Sequence, residues 1–134
     1  MKKPIELETA KLANKKRCYV SSSFAYIRGE LKDLSKTASK ALMWYAPFQQ
    51  DIVDELRSKF NIHISTHYSM YEQDGKLHCE HSALISDFNT IESKDEFIDI
   101  ITYRPKFTHV KSFVSHEDVV EQAIVEGLKM IKVD

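Results

Sequence analysis

The chain has 134 residues, of which 43% are hydrophobic and 29% charged, and a formal net charge of −1. With only three glycines, three prolines and two cysteines, this composition excludes disordered, collagen-like and disulfide-scaffold classes and is typical of a globular protein. The length predicts a single domain over residues 1–134 that buries roughly two thirds of its unfolded surface.

The first third predicts a helix, a strand and a second helix. Residues 5–16 carry apolar side chains on one side and lysines on the other, which favours a short helix. Residues 18–27 are aromatic and β-branched at both ends, which is typical of a strand. After Gly29, apolar residues recur at helical spacing, which predicts a helix over 31–45 with lysines on its outer face.

The next forty residues predict a helix followed by a hairpin. Pro47 opens an amphipathic helix over 46–60, and Asn61 suits its left-handed exit. Asp74-Gly75 indicates a two-residue type I′ turn, which pairs strand 62–71 with strand 77–86. The predicted opposite pairs are Ile64 with Ile85, Thr66 with Ala83, Tyr68 with His81, and Met70 with Cys79.

The remaining elements are less uniform in their patterns. Residues 93–103 fit a short helix opened by Ser93 and also fit strand alternation, and Arg104-Pro105 should end either one. A strand is predicted over 107–114 and an amphipathic helix, capped by Ser115, over 115–132.

These elements predict an α+β fold with a small antiparallel sheet centred on the 62–71/77–86 hairpin. We expect strands 18–27 and 107–114 to join that sheet. The helices 46–60 and 115–132 should pack on one of its faces and leave the other available to a partner.

Charge is divided unevenly along the chain. Residues 1–44 carry ten Lys or Arg against four acids, and residues 45–134 carry nine against sixteen. The split indicates a basic patch for nucleic acid, two opposite surfaces that meet within or between subunits, or solvated charges. In the first case, a single-stranded nucleic acid would contact Lys15, Lys16, Arg17, Lys32, Lys36 and Lys40. Stacking rings would come from Tyr19, Phe24 and Tyr26.

Four of the six histidines lie in the predicted hairpin. In the predicted register, the face away from the apolar one carries His63, His67, Tyr71, His78 and Glu80. Cys79 and His81 lie on the opposite face, so no three or four ligands converge and we predict no metal site. We also predict no catalytic residue and no cofactor, because no motif supports one. The outward row is therefore a candidate partner surface.

The cysteines and the hydropathy pattern indicate the cellular compartment of the protein. Cys18 and Cys79 are far apart in sequence and are expected to be free, half-buried thiols, with a disulfide as the alternative. No apolar run approaches the roughly 20 residues that span a bilayer. We therefore expect a cytoplasmic protein without membrane contact.

Several short motifs resemble a family of short uncharacterised phage and prophage proteins. They are Ala46-Pro47 with Gln49, Leu56-Arg57, Ile62-His63-Ile64, the opening Glu8-Thr9-Ala10-Lys11-Leu12-Ala13, and the C-terminal helix with Ala123, Ile124, Gly127, Leu128 and Ile131. The chain departs from the family pattern at Phe48 and Glu55. The resemblance implies a phage origin in a bacterial host cell and no biochemical activity.

Together these patterns predict a non-enzymatic phage-type accessory protein that acts by protein–protein contact or self-association, as an assembly component or an inhibitor of a host factor. The alternative is a weak single-stranded nucleic-acid-binding protein that uses the basic N-terminal third.

Overall fold

The computed structural model describes residues 2–36, 42–113 and 115–133. The helices are α1 (Leu7–Lys15), α2 (Gln49–Phe60) and α3 (His116–Met130). The strands are β1 (Phe24–Ile27), β2 (Glu30–Asp33), β3 (Met43–Tyr45), β4 (Ile62–Gln73), β5 (Lys76–Glu96) and β6 (Ile101–Phe113). In this part of the chain the strands form two antiparallel sheets, ordered β2-β1-β3 and β4-β5-β6. The predicted α+β class is confirmed.

The register of the β4–β5 hairpin is the predicted one. Asp74 and Gly75 both have positive φ, 54° and 73°, as the turn requires. Opposite pairs include Ile64 with Ile85 and Met70 with Cys79. Side chains at Ile64 and Ile85 therefore share one face, which we call the inner face because α2 and α3 pack on it.

The core lies between this inner face and the two helices. Its largest fully buried side chains include Ile52, Leu56, Ile62, Ile85, Ile124 and Leu128. A Cβ added at Gly127 would lie 3.2 Å from Leu56 Cδ1 and 3.5 Å from Ile62 Cγ2. The glycine, which costs a helix about 1 kcal/mol relative to alanine, thus lets α3 approach β4 and α2 closely.

A buried carboxylate ties the N-terminal segment to this layer. Glu121 on α3 accepts hydrogen bonds from the Glu6 N–H and from Gln49 Nε2, both at 3.0 Å. Glu121 is only 6% exposed. Because a buried charge needs hydrogen-bond partners, this contact holds the starts of α1 and α2 against α3.

Two predictions about the N-terminal third are wrong. The strand predicted over 18–27 is limited to β1, and it pairs with β2 and β3 instead of joining the hairpin sheet. The helix predicted over 31–45 is absent from the described residues, which form β2, a 3₁₀ turn over Leu34–Lys36, and β3. Residues 37–41 lie outside the described part. Arg28 and Gly29, with φ of 54° and 83°, make a tight turn between β1 and β2 that favours strand pairing.

Residues 93–103 are strand, tip and strand, with the Phe97 N–H donating to the Ile100 carbonyl at 2.8 Å. The expectation that Pro105 ends this element is wrong. Pro105 lies within β6, opposite Ile91 and at a shift in register. An edge strand tolerates proline because its missing N–H need not leave a neighbour unpaired.

The helix ends follow their predicted chemistry. The Ser115 Oγ accepts the Asp118 N–H at 3.1 Å and caps α3, and Asn61 ends α2 with φ 54°. The start of α2 is the exception: the helix begins at Gln49 with Phe48 as its N-cap, so the prediction that Pro47 lies in its first turn is wrong. The Pro47 carbonyl instead accepts the Ile5 N–H at 2.9 Å.

Substitution of Gly127 tests the close approach of α3. Gly127→Val should lower the free energy of unfolding by about 1–3 kcal/mol, because the added methyl groups meet Leu56 and Ile62. Gly127→Ala should stay within about 1 kcal/mol of the parent, since its gain in helix propensity offsets the tight contact. Urea denaturation measures both. Equal stability of the valine variant and the parent would contradict the packing described.

Candidate interaction surface

Strand β5 extends beyond the stretch that pairs with β4 and also beyond the stretch that pairs with β6. Residues 76–87 pair with β4, residues 81–96 pair with β6, and the buried stretch of β5 is confined to Ala83 and 85–87. The sheet therefore continues past its covered centre in both directions. We call residues 67–80 the first arm and residues 88–107 the second arm.

The second arm has one apolar face and one polar face. Along β6, the residues at odd positions share a face, whose large apolar members include Ile101, Tyr103 and Phe107. The residues at even positions share the other face, where Thr108 and Val110 lie opposite the inner-face residues Ile85 and Ala83. Consequently the apolar row points to the outer face, away from α2 and α3.

Five large apolar side chains form what we call the outer patch. Their exposed fractions are 48% for Phe88, 60% for Ile91, 51% for Ile101, 58% for Tyr103 and 43% for Phe107. Ile91 lies opposite Pro105 and so shares its face. The Phe88 ring lies 4.7 Å from the ring of His63, whose side chain is also on the outer face. The patch is thus continuous with the centre of the sheet.

Between the bulge and the tip, the same arm is polar on its inner side. Ser93 lies opposite Arg104, and Asp95 lies opposite Thr102; all four are exposed. Water can solvate this face. The contrast between the two sides singles out the outer one for contact with another macromolecule.

A bulge in β5 sets the direction of the second arm. Between Asp87 and Ile91, β5 gains three residues relative to β6. The buried Asp87 carboxylate accepts hydrogen bonds from the Asn89 N–H and Nδ2, both at 2.9 Å, and from Thr90 Oγ1 at 3.1 Å. Asn89 Nδ2 also donates to the Phe60 carbonyl. The bulge is thereby attached to the end of α2.

The candidate partner residues of the hairpin lie on the outer face, as predicted. Tyr71 lies opposite His78, and their rings stack at 5.2 Å. His63 lies eight residues from Tyr71 along β4, which is roughly 27 Å. His67 and Glu80 occupy the stretch between them. Sequence reasoning thus located the polar end of the outer face and missed the apolar end.

The inner side of the first arm is less buried than expected. Cys79 is exposed, which corrects the prediction of a half-buried strand cysteine. His81 is half-buried, with its ring 4.7 Å from Tyr68 and 5.9 Å from His116. The helices stop short of this arm, so residues on the core-side face still reach solvent.

Two of the six predicted basic contacts, Lys16 and Lys32, bond other groups of the chain. Lys16 Nζ donates to the Ile131 carbonyl at 2.9 Å, and Lys32 pairs with Glu30 at 2.9 Å. Lys15, Arg17 and Lys36 are exposed. Lys40 lies outside the described residues. Lys15 and Arg17 are the sequence neighbours of Asn14 and Cys18, which line a cavity.

That cavity is an open groove of about 440 Å³ beside α1, whose lining includes Asn14, Cys18, Tyr19 and Tyr45. Tyr19 is 65% exposed and Tyr45 is 47% exposed. Tyr19 is one of the three predicted stacking rings, and the other two lie elsewhere. The Phe24 ring packs against the Phe48 ring at 5.9 Å. The Tyr26 hydroxyl donates to the Ile5 carbonyl.

Burial raises the pKa of the Cys18 thiol to about 11, with the Glu55 carboxylate adding to the effect. Cys18 is therefore protonated near neutral pH, and a protonated thiol is a poor nucleophile. Both cysteines are free. The disulfide alternative is not what the structure shows.

Within residues 2–36, 42–113 and 115–133, no group of three or more His, Cys, Asp or Glu side chains is arranged to hold a metal ion. The helices of this described part are also too short or too polar to cross a membrane.

Comparison with known proteins returned no matching family model, no matching curated protein and no matching solved structure. The resemblance to phage proteins accordingly stays a prediction.

The two cysteines should differ sharply in reactivity. At pH 8 in native buffer, the Cys79→Ser variant, which retains Cys18, should react with a thiol reagent at least about tenfold more slowly than the Cys18→Ser variant, because Cys18 is buried and protonated. Stopped-flow absorbance gives both rates. In denaturant the two rates should become similar, and equal rates in native buffer would contradict the assignment.

Proposed function

We propose that this chain is a non-enzymatic accessory protein that acts through protein–protein contact at the outer patch. The single observation that carries the proposal is the presence of five large apolar side chains, each 43–60% exposed, on one face of the second arm. Singly scattered apolar residues are ordinary on a protein surface, but a contiguous group is typical of a contact site.

The arm's pattern supports a contact that uses one face. Side chains alternate between apolar and polar along β6, so a partner that covers the outer patch leaves Arg104 and Thr102 in water. Tyrosine and phenylalanine at the centre of such a patch are the residue types that contribute most to protein interfaces. Tyr103, between Ile101 and Pro105 on the outer face of β6, has such a position here.

The setting of this contact belongs to the same proposal. The resemblance to phage and prophage proteins supports a role as an assembly component or as an inhibitor of a host factor, in the cytoplasm of a bacterial host cell. The polar end of the outer face, with His67, Tyr71 and His78, would then adjoin the partner's edge.

A face-specific capture experiment tests the proposal. Tagged chain is mixed with a lysate of bacteria that express the untagged chain. The tagged chain should retain a stoichiometric partner, and an untagged copy of the chain itself counts as such a partner. Tyr103→Lys should reduce that retention at least about tenfold, because it places a charge within the apolar contact. Quantitative mass spectrometry of the eluate measures the ratio.

The matched control is Thr102→Lys, one residue away on the polar face and also exposed. This variant carries the same added charge and should retain the partner. Equal losses from both variants, or no stoichiometric partner for the parent chain, would count against the proposal.

A second candidate function is weak binding of single-stranded nucleic acid at the groove beside α1. The observation that favours it is the pair of exposed rings, Tyr19 and Tyr45, that line one groove. The exposed Lys15 and Arg17 are sequence neighbours of the lining residues Asn14 and Cys18. Aromatic rings beside cationic side chains are the combination that binds unpaired bases and their phosphates.

Salt dependence tests this second candidate. Affinity for a fluorescent oligo-dT should fall steeply with salt, and replacing both Lys15 and Arg17 with Glu should lower the slope of log K against log salt by about 2. Fluorescence anisotropy measures both. The charge-matched control is Lys76→Glu with Lys111→Glu, both exposed and on the other sheet. Binding that ignores salt, or that falls equally in both variants, would exclude the groove as the site.

A further inference from the structure

We infer that the partner at the outer patch is a second copy of this chain, with the two second arms packed face to face about a two-fold axis. The inference rests on the proposed function, because it names the partner of the same patch.

The exposed apolar area matches what one partner contributes to a stable dimer. The five side chains of the outer patch, each 43–60% exposed, present about 520 Å² in total at roughly 200 Å² for a fully exposed large apolar side chain. A specific interface of standard size takes about 800 Å² from each partner, and about 65% of a homodimer interface is apolar. The apolar share of such an interface is therefore also about 520 Å² per partner.

The charges on this face allow a copy of the same face to approach. Lys94 lies opposite Tyr103, and Glu96 lies opposite Ile101, so both belong to the outer side. Their charged atoms form an ion pair at 3.0 Å. The contribution of this pair to the net charge of the face is zero. Two identical faces therefore meet without repulsion between these groups, and Lys94 of one copy can lie near Glu96 of the other.

Sheet geometry favours a second layer over the outer patch. Antiparallel sheets pack face to face at about 10 Å and bury the apolar sides of both. A two-stranded ribbon with one apolar side is marginally stable in water by itself. A second arm with the same alternation supplies the missing layer, and the polar residues Ser93, Asp95 and Thr102 remain on the outside of the pair.

Two other modes of self-association fit less well. Pairing of the β6 edges would bring together Arg104, Lys106 and Lys111, a strand without a single acid, and like charges repel. Packing through the first arm would use Tyr68, Met70 and Leu77, exposed by 56%, 60% and 66%. These three side chains present about 350 Å², which is less than the outer patch presents.

The experiment is sedimentation velocity on the purified full chain, without lysate, from about 1 to 100 µM, because interfaces of this size have dissociation constants from µM down to pM. The parent should sediment with twice the monomer mass. Tyr103→Lys should raise the dimer dissociation constant at least about 30-fold, as expected for a central aromatic residue. Thr102→Lys and Met70→Lys should each stay within about threefold of the parent, because neither lies on the outer patch.

The unfolding midpoint provides a second measurement that does not depend on hydrodynamics. For a dimer the midpoint rises with protein concentration, so it should rise for the parent and for Thr102→Lys and stay constant for Tyr103→Lys. Circular dichroism at the start of each melt verifies that the variants are folded. Tyr103 is already exposed, and its replacement leaves the core intact.

The outcomes separate the inference from the proposed function. The parent chain could stay monomeric at every concentration while lysate capture still depends on Tyr103. That result overturns the inference that the partner is a second copy and leaves the proposed function standing. A dimer weakened most by Met70→Lys, or equally by Thr102→Lys and Tyr103→Lys, overturns the assigned face. A monomer whose lysate capture is indifferent to Tyr103 overturns both.

Discussion

The packing of α3 against the middle of β5 is the contact on which the rest of the structure depends. Ile85 at the centre of β5, Ile62 on β4 and Leu56 on α2 are all within reach of Gly127 on α3. The absence of a side chain at Gly127 brings the helix close enough to exclude water from all three. A bulkier residue there would move the helix away from the sheet, and burial at this centre would be lost first.

This contact also explains why the sheet has arms. A helix of 15 residues extends about 22 Å, whereas a strand of 21 residues extends about 70 Å. One helix layer cannot cover such a strand, so the helices bury its middle and leave both ends uncovered. The arms are therefore a direct result of unequal element lengths, and the chain has placed very different side chains on them. The first arm has a polar outer face, and the second arm has an apolar one.

Local signals in the sequence predicted the parts of the fold that short-range chemistry determines. Asp74-Gly75 specified the hairpin register, and Ser115 specified the start of α3, because each acts on residues a few positions away. Arg28-Gly29 makes a similar turn, but the helical spacing of Leu31 and its neighbours concealed it. The bulge at Asp87 was also missed, because the Phe60 carbonyl that anchors it comes from a distant helix.

The candidate surface, too, was predicted only where local patterns determine it. His63 and His67 were assigned to the correct face by alternation alone. The exposure of Cys79 and of Tyr103, however, depends on how far the helices reach along the sheet, and no local pattern encodes that length. Lys16 was expected to be available to a ligand, yet it bonds a carbonyl 115 residues away. Ile101 and Tyr103 did carry a signal, since strand alternation fitted residues 93–103 as well as a helix did.

The buried Glu121 has a consequence for how the chain folds during synthesis. Its bond to the Glu6 N–H joins residues 115 positions apart, and the same helix covers β5. The N-terminal segment therefore lacks this contact, and β5 lacks the cover of α3, until residues 116–130 have left the ribosome. Non-local contacts of this kind slow folding and leave strand edges open in the interim. Nascent chains on one polysome would thus expose the same β5 and β6 segments to each other before any of them could close its core.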